Sequence, residues 1–244
     1  MNRVQSLSAA VRLAPSVPSR HTVSSGTLEA LKWIGVVLMT LDHANKYLMH
    51  GANHAAFAAG RLALPIFLFV LAYNLTRPNA REAGLHARVI VRLAFFGSIA
   101  TVPFVALGGL LHGWWPLNIL FTLLVTTAVI YLLDGRTTWH GYLAAGLVFI
   151  IGGSLVEYWW PAIALGVALW RWCRSESALA AFAVVLCAAS LAFINGNFWA
   201  LASLPLIVAA SRVDVRCTRA RWAFYAYYPA HLAALYAAIR FGGS

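Results

Sequence analysis

LEALKWIGVVLMTLDHANKYLM, residues 28–49, is the stretch on which the fold turns. It runs mostly apolar, with no strand-like alternation, and it is long enough for one crossing of a bilayer. A hydrocarbon core about 30 Å thick needs about 20 such residues in a helix. Eight further blocks read the same way, so nine spans are expected: 28–49, 56–75, 88–111, 117–133, 141–157, 159–173, 178–195, 198–211 and 222–240. The sixth and eighth are short enough to be tilted or partly re-entrant. An open sheet in lipid would leave its edges unpaired, and a barrel would read as alternating segments of about 10 residues. The expected fold class is therefore all-α, a polytopic helical bundle in the membrane.

Composition agrees. Charged residues make up 10% of the 244 and hydrophobic ones 61%, with a mean hydropathy of +0.75. Water-soluble domains carry about 25% charged residues. The net charge of +11 does not indicate nucleic acid, because the Arg residues stand singly at span ends and form no patch. Cys173, Cys187 and Cys217 have no metal-ligand spacing and read as reduced thiols. Residues 1–27 lack an apolar core ending in a cleavage site, so they are expected to be a short cytoplasmic tail. Residues 28–244 are expected to form a single membrane domain.

Lys and Arg positions set the expected orientation. With the N-terminus in the cytoplasm, the inner side holds Arg3, Arg12, Arg20, Lys32, Arg77, Arg81, Arg88, Arg92, Arg136, Arg171, Arg174, Arg212, Arg216, Arg219 and Arg221. The outer side holds Arg240.

A few ionisable residues fall inside spans, where each costs several kcal/mol and marks function by default. They are Asp42, His43, Lys46, Arg61, Glu157 and His231, joined by Asn118, Thr122, Tyr158, Asn195 and Asn197. Asp42 and His43 lie ten and eleven residues past Lys32, about 15 Å into the span. His231 lies at a similar depth past Arg221, and Lys46, Arg61, Asn118 and Glu157 fall in the outer half. Together they would form one polar layer around a cavity opening outward. Individually, blander roles exist: Asp42–Lys46 as an intrahelical pair, Arg61 snorkelling, Glu157–Tyr158 as an interfacial helix end. Asp42 and His43 point about 100° apart, so a partner orienting His43 should come from another helix, with Glu157 the foremost candidate.

These residues carry a resemblance. Leu31-Lys32-Trp33-Ile34 with Leu38-Met39-Thr40-Leu41-Asp42-His43 resembles the opening signature of the TraX family. Gly60-Arg61-Leu62-Ala63-Leu64-Pro65-Ile66-Phe67 resembles its second span. Thr76-Arg77, Arg92-Leu93, Pro103-Phe104, Asn118-Ile119-Leu120-Phe121-Thr122, Glu157-Tyr158 and Tyr228-Pro229-x-His231 fit later segments, so the match runs from about 28 to 240. After His43 this chain continues Ala44-Asn45-Lys46, where the family usually has Ile-Gly.

The resemblance implies a multi-pass protein of the bacterial inner membrane, part of a conjugation system, which N-acetylates pilin at its amino terminus. The family includes the TrbP branch and resembles wider transmembrane acyltransferases. The implied co-substrate is cytoplasmic acetyl-CoA, with no metal. The implied partners are a pilin subunit or another membrane-associated amine and the lipid bilayer. Such chemistry needs a base, a held thioester and support for the developing oxyanion. His43 is the expected base, with Asp42 beside it. Lys46, Arg61, Asn118, Glu157, Tyr158 and His231 are expected to bind substrate or support the transition state, and Arg77 and Arg92 to contact the CoA phosphates. A proton-coupled transporter of a small solute and a non-catalytic assembly factor are the alternatives.

Overall fold

The computed structural model describes residues 22–108, 110–135, 138–220 and 222–242. The expected tail, apart from its last residues, lies outside them, as do Arg3, Arg12, Arg20, Arg136 and Arg221. The described residues are helical, with isolated bridges and no strand. The elements are α1 (Ser25–Leu48), α2 (His54–Gly60), α3 (Ala63–Leu75), α4 (Leu85–Leu107), α5 (Ile119–Leu133), α6 (Trp139–Leu155), α7 (Trp159–Ser175), α8 (Ala178–Ser190), α9 (Ala192–Asn195), a 3₁₀ turn (Trp199–Ala202), α10 (Ser203–Ser211) and α11 (Ala223–Phe241). Each of the nine expected blocks overlaps a helical segment, though α4 ends at Leu107 and α6 at Leu155, short of the expected bounds. Three stretches are long and apolar enough to cross a membrane: His54–Leu75, Leu85–Leu107 and Ala178–Asn195.

The centre of the bundle is α3. Nine of its thirteen residues are buried, from Ala63 through Leu75, and it packs against α1 and α7. Helix α11 lies against α4 and α1, α5 joins α4 to α6 and α7, and α8 leans on α7. The outward faces stay apolar: Leu179, Phe182 and Phe193 on α8–α9, and Leu147, Ile150 and Ile151 on α6, are exposed. A soluble monomer rarely leaves so much contiguous apolar surface bare, whereas lipid is a matching solvent for it. This is a helical membrane protein.

Two local features position the site. The expected second span is interrupted between α2 and α3. Pro65 has no N–H to give the Arg61 carbonyl, and at Arg61–Leu62 the backbone tightens into i→i+3 turns, the Arg61 N–H donating to the Ala58 carbonyl and the Leu62 N–H to the Ala59 carbonyl. The interruption leaves Arg61 at the C-cap of α2. The α1–α2 connection is closed by Asn45, whose amide donates to the Asn53 carbonyl (2.9 Å) and whose Oδ1 accepts from the Asn53 N–H (2.8 Å). Asn53 in turn caps α2 by accepting from the Ala56 N–H. Asn45 thus clasps the turn that brings α2 back onto α1.

Candidate functional site

Gly60 is where α2 meets α1. A Cβ built there would lie 2.3 Å from the Cβ of Asp42, so only glycine permits the approach. The contact lets the next residue, Arg61, donate from Nη2 to Oδ2 of Asp42. Arg61 Nη1 also donates to Oδ1 of buried Asn195 (3.3 Å), Nε donates to the Phe57 carbonyl (3.3 Å), and the guanidinium lies over the Phe57 ring. Asp42 therefore pairs with Arg61 at the end of α2. Neither the intrahelical Asp42–Lys46 pair nor a snorkelling Arg61 describes the arrangement. Lys46 is exposed, with its ammonium over the Tyr47 ring.

His43 faces α11. Its Nδ1 lies 2.7 Å from Nε2 of buried His231, with the two ring planes 7° apart. The other nitrogen of His231, Nδ1, is 3.1 Å from the Tyr227 carbonyl one turn earlier. The Tyr227 ring stacks on His231, and its hydroxyl is 2.8 Å from Oγ1 of Thr40. The expected interhelical partner of His43 exists, but it is His231 and not Glu157. The Glu157 carboxyl sits by the Ile119 backbone amide instead, in the field of Lys46, Arg61 and Asp42. Tyr158 and Trp159 follow it with φ of 58° and 45°. Left-handed backbone in bulky residues costs about 1–3 kcal/mol each and occurs where surrounding structure enforces it. Here it forms the sharp turn that sets Glu157 and Tyr158 against the cavity described next.

A cavity of about 280 Å³ connects these groups. At one end Asp42, His43, Gly60, Glu157, Tyr158 and Tyr228 line it. At the other end stand four cations, Lys32, Arg77, Arg92 and Arg219, and between the ends the walls are apolar. Lys32 and Asp42, ten residues apart on α1, put about 15 Å between the two ends. The cavity thus runs from the polar layer toward the Arg-rich end of the bundle, not outward from it as the sequence led us to expect.

At the cationic end, Glu29 organises the α1 side. It pairs with Lys32 (2.5 Å) and accepts from the Ala220 N–H (2.7 Å). Lys32 lies over the Phe224 ring and Arg92 over the Trp222 ring. Arg77 donates to Ser25 Oγ (3.2 Å). Arg219 belongs to an irregular segment, 213–220, held on the first turn of α1: Thr27 Oγ1 donates to the Val213 carbonyl (2.6 Å) and accepts from the Val215 N–H (3.2 Å). Of the basic residues flanking the expected inner loop, Arg77 and Arg92 reach the cavity. Arg81 donates instead to the Tyr131 and Asp134 carbonyls, and Arg88 to the Ala83 carbonyl.

Asn118 does not join the group. It is fully buried as the N-cap of α5, with Oδ1 accepting from the Leu120 N–H (3.1 Å). Its amide donates to the Gly97 carbonyl and to Thr101 Oγ1 of α4 (2.9 and 3.1 Å), so its polar atoms serve helix capping and packing. Sequence reading missed Lys32 as a cavity residue, though the signal was present. Lys32, Val36, Met39 and His43 recur at helical spacing and all line the cavity. It also missed Tyr227, whose contribution is a backbone carbonyl and leaves no mark in side-chain chemistry.

The TraX protein family model matches residues 27–239. Protein TraX of Escherichia coli is 29% identical over 188 residues, 76% of this chain and 72% of that protein. Protein TraX of Escherichia coli strain K12 is 32% identical over 132 residues, 54% of this chain and 50% of that one. No solved structure gives a significant match.

Proposed function

The chain belongs to the TraX family, and from that premise we propose that it is a membrane-embedded N-acetyltransferase of a conjugation system. It moves an acetyl group from cytoplasmic acetyl-CoA to an amine, the amino terminus of conjugative pilin. The observation that carries the reading is the two-ended cavity: four cations at one end, an imidazole and two carboxyl groups at the other, and an apolar passage between them. A CoA thioester has that same polarity, with phosphates at its head, a long arm and a reactive carbonyl at its tip.

In the proposed orientation the N-terminus and the Arg-rich end face the cytoplasm of a bacterial inner membrane. Arg77 and Arg92, with Lys32 and Arg219, hold the phosphates, and the arm threads between α1, α3 and α4. The neutral amine attacks the thioester carbonyl carbon; a C–N bond forms, the C–S bond breaks, and the thiolate leaves. His43 accepts the proton the amine sheds, and that proton is then available to the departing thiolate. Glu157 attracts the cationic amine before it is deprotonated. Arg61, fixed on Asp42, and Lys46 supply positive charge near the developing oxyanion.

The test supplies membranes containing the protein with labelled acetyl-CoA and a pilin peptide. Label transferred to the peptide's amino terminus by the wild type, and lost in His43→Ala, is the expected result. Transfer unaffected by His43→Ala removes the assigned base, and no transfer by the wild type removes the activity.

A further inference from the structure

The contact between His43 and His231 fixes more than a distance. A carbonyl oxygen only accepts hydrogen bonds, so His231 Nδ1, 3.1 Å from the Tyr227 carbonyl, carries the hydrogen. With the ring neutral, its Nε2 is then a lone pair. That lone pair faces His43 Nδ1 at 2.7 Å, so His43 Nδ1 must be the donor. The consequence at the far edge of the neutral His43 ring is an unprotonated Nε2. His43 lines the cavity, whereas His231 stands behind it, outside the lining.

We propose that His231 is a positioning residue that holds His43 in the Nδ1-protonated tautomer, so that the Nε2 lone pair is the one available for proton abstraction. The last step of this statement rests on the reading of His43 as the base; the tautomer assignment does not. The relay begins at a backbone carbonyl, which cannot change its hydrogen-bonding sense. The assignment therefore propagates in one direction: Tyr227 carbonyl, His231, His43, cavity. Pro229 lies in the same turn and removes one intrahelical N–H from it, and Tyr227 is fastened to α1 through Thr40. The device lets an imidazole act without a carboxylate behind it. Asp42, the nearest acid in sequence, is committed to Arg61.

The experiment is nitrogen NMR on protein labelled with 15N-histidine, the His43 and His231 signals being assigned by single substitution. The wild type should show His43 and His231 both protonated on Nδ1 and bare on Nε2, with a coupling across the His43–His231 bond. His231→Gln keeps an acceptor for His43 and should preserve the His43 tautomer and most transferase activity. His231→Leu removes the acceptor and should release His43 to a mixture of tautomers, with kcat falling more than KM changes. Tyr227→Phe keeps the carbonyl and should leave the tautomer as in the wild type. A wild-type His43 protonated on Nε2 overturns the proposal, as does a His231→Leu spectrum identical to the wild type. A wild type with the expected tautomers but no acetyl transfer to pilin sinks the functional reading and leaves the tautomer assignment standing.

Discussion

Arg61, at the C-cap of α2, donates to the carboxylate of Asp42 on α1, and Gly60 is the residue that lets the two helices close to that distance. Both side chains of the pair are mostly withdrawn from solvent. Removing one partner of such a pair strands the other, which costs about 3–5 kcal/mol, whereas replacing both by apolar groups can cost little. Arg61→Ala and Asp42→Ala should each lower the unfolding midpoint of the detergent-solubilised protein markedly. The double variant Asp42→Leu/Arg61→Met should lose much less than the sum. Additive losses would show that the two charges act independently.

Gly60→Ala provides a separate check on the same contact. The added methyl meets the Asp42 side chain and can be relieved only by moving α2 off α1. Overpacking of this kind costs about 1–3 kcal/mol. The expected result is a destabilised protein with an impaired site; unchanged stability and activity would show that the helices stand further apart than described.

Arg77 and Arg92, which line the cavity, should differ from Arg88, one turn before Arg92 on α4. Arg77→Gln and Arg92→Gln should each raise KM for acetyl-CoA roughly fivefold, an effect of about 1 kcal/mol expected for a partly solvated charge. Their kcat should change little. Arg88→Gln, which touches the Ala83 carbonyl and not the cavity, should leave KM unchanged. Equal effects from all three would point to general surface charge.

Asn118→Ala should behave as a structural variant. Loss of an N-cap costs about 0.5–2 kcal/mol, and the Gly97 and Thr101 groups it serves lose a donor. Stability should fall while KM for both substrates stays near wild type in the folded fraction. A selective loss of kcat at full stability would return Asn118 to the transition state.

These residues also show what could be read in advance. Among the described residues, apolar blocks located the helical segments, because lipid leaves the backbone few options. Asp42, His43, Arg61, Glu157 and His231 stood out because charge at depth is costly. Their pairing was not legible, since Arg61 rather than Lys46 reaches Asp42 only through the close Gly60 contact and the break before Pro65. His231 rather than Glu157 reaches His43 for the same kind of reason: partner choice follows from how helices distant in sequence pack. Asn118 caps α5 for a local reason. A polar residue placed immediately before an apolar run is an N-cap pattern, and that grammar competes with any reading from depth.

Acetylation is decided by the intact mass of conjugative pilin recovered from cells carrying the wild-type protein, the His43→Ala variant at matched abundance, or neither. Pilin should be one acetyl group heavier with the wild type, the group located on its amino terminus, and unmodified in the other two. Pilin of the same mass in all three would rule out acetylation by this protein.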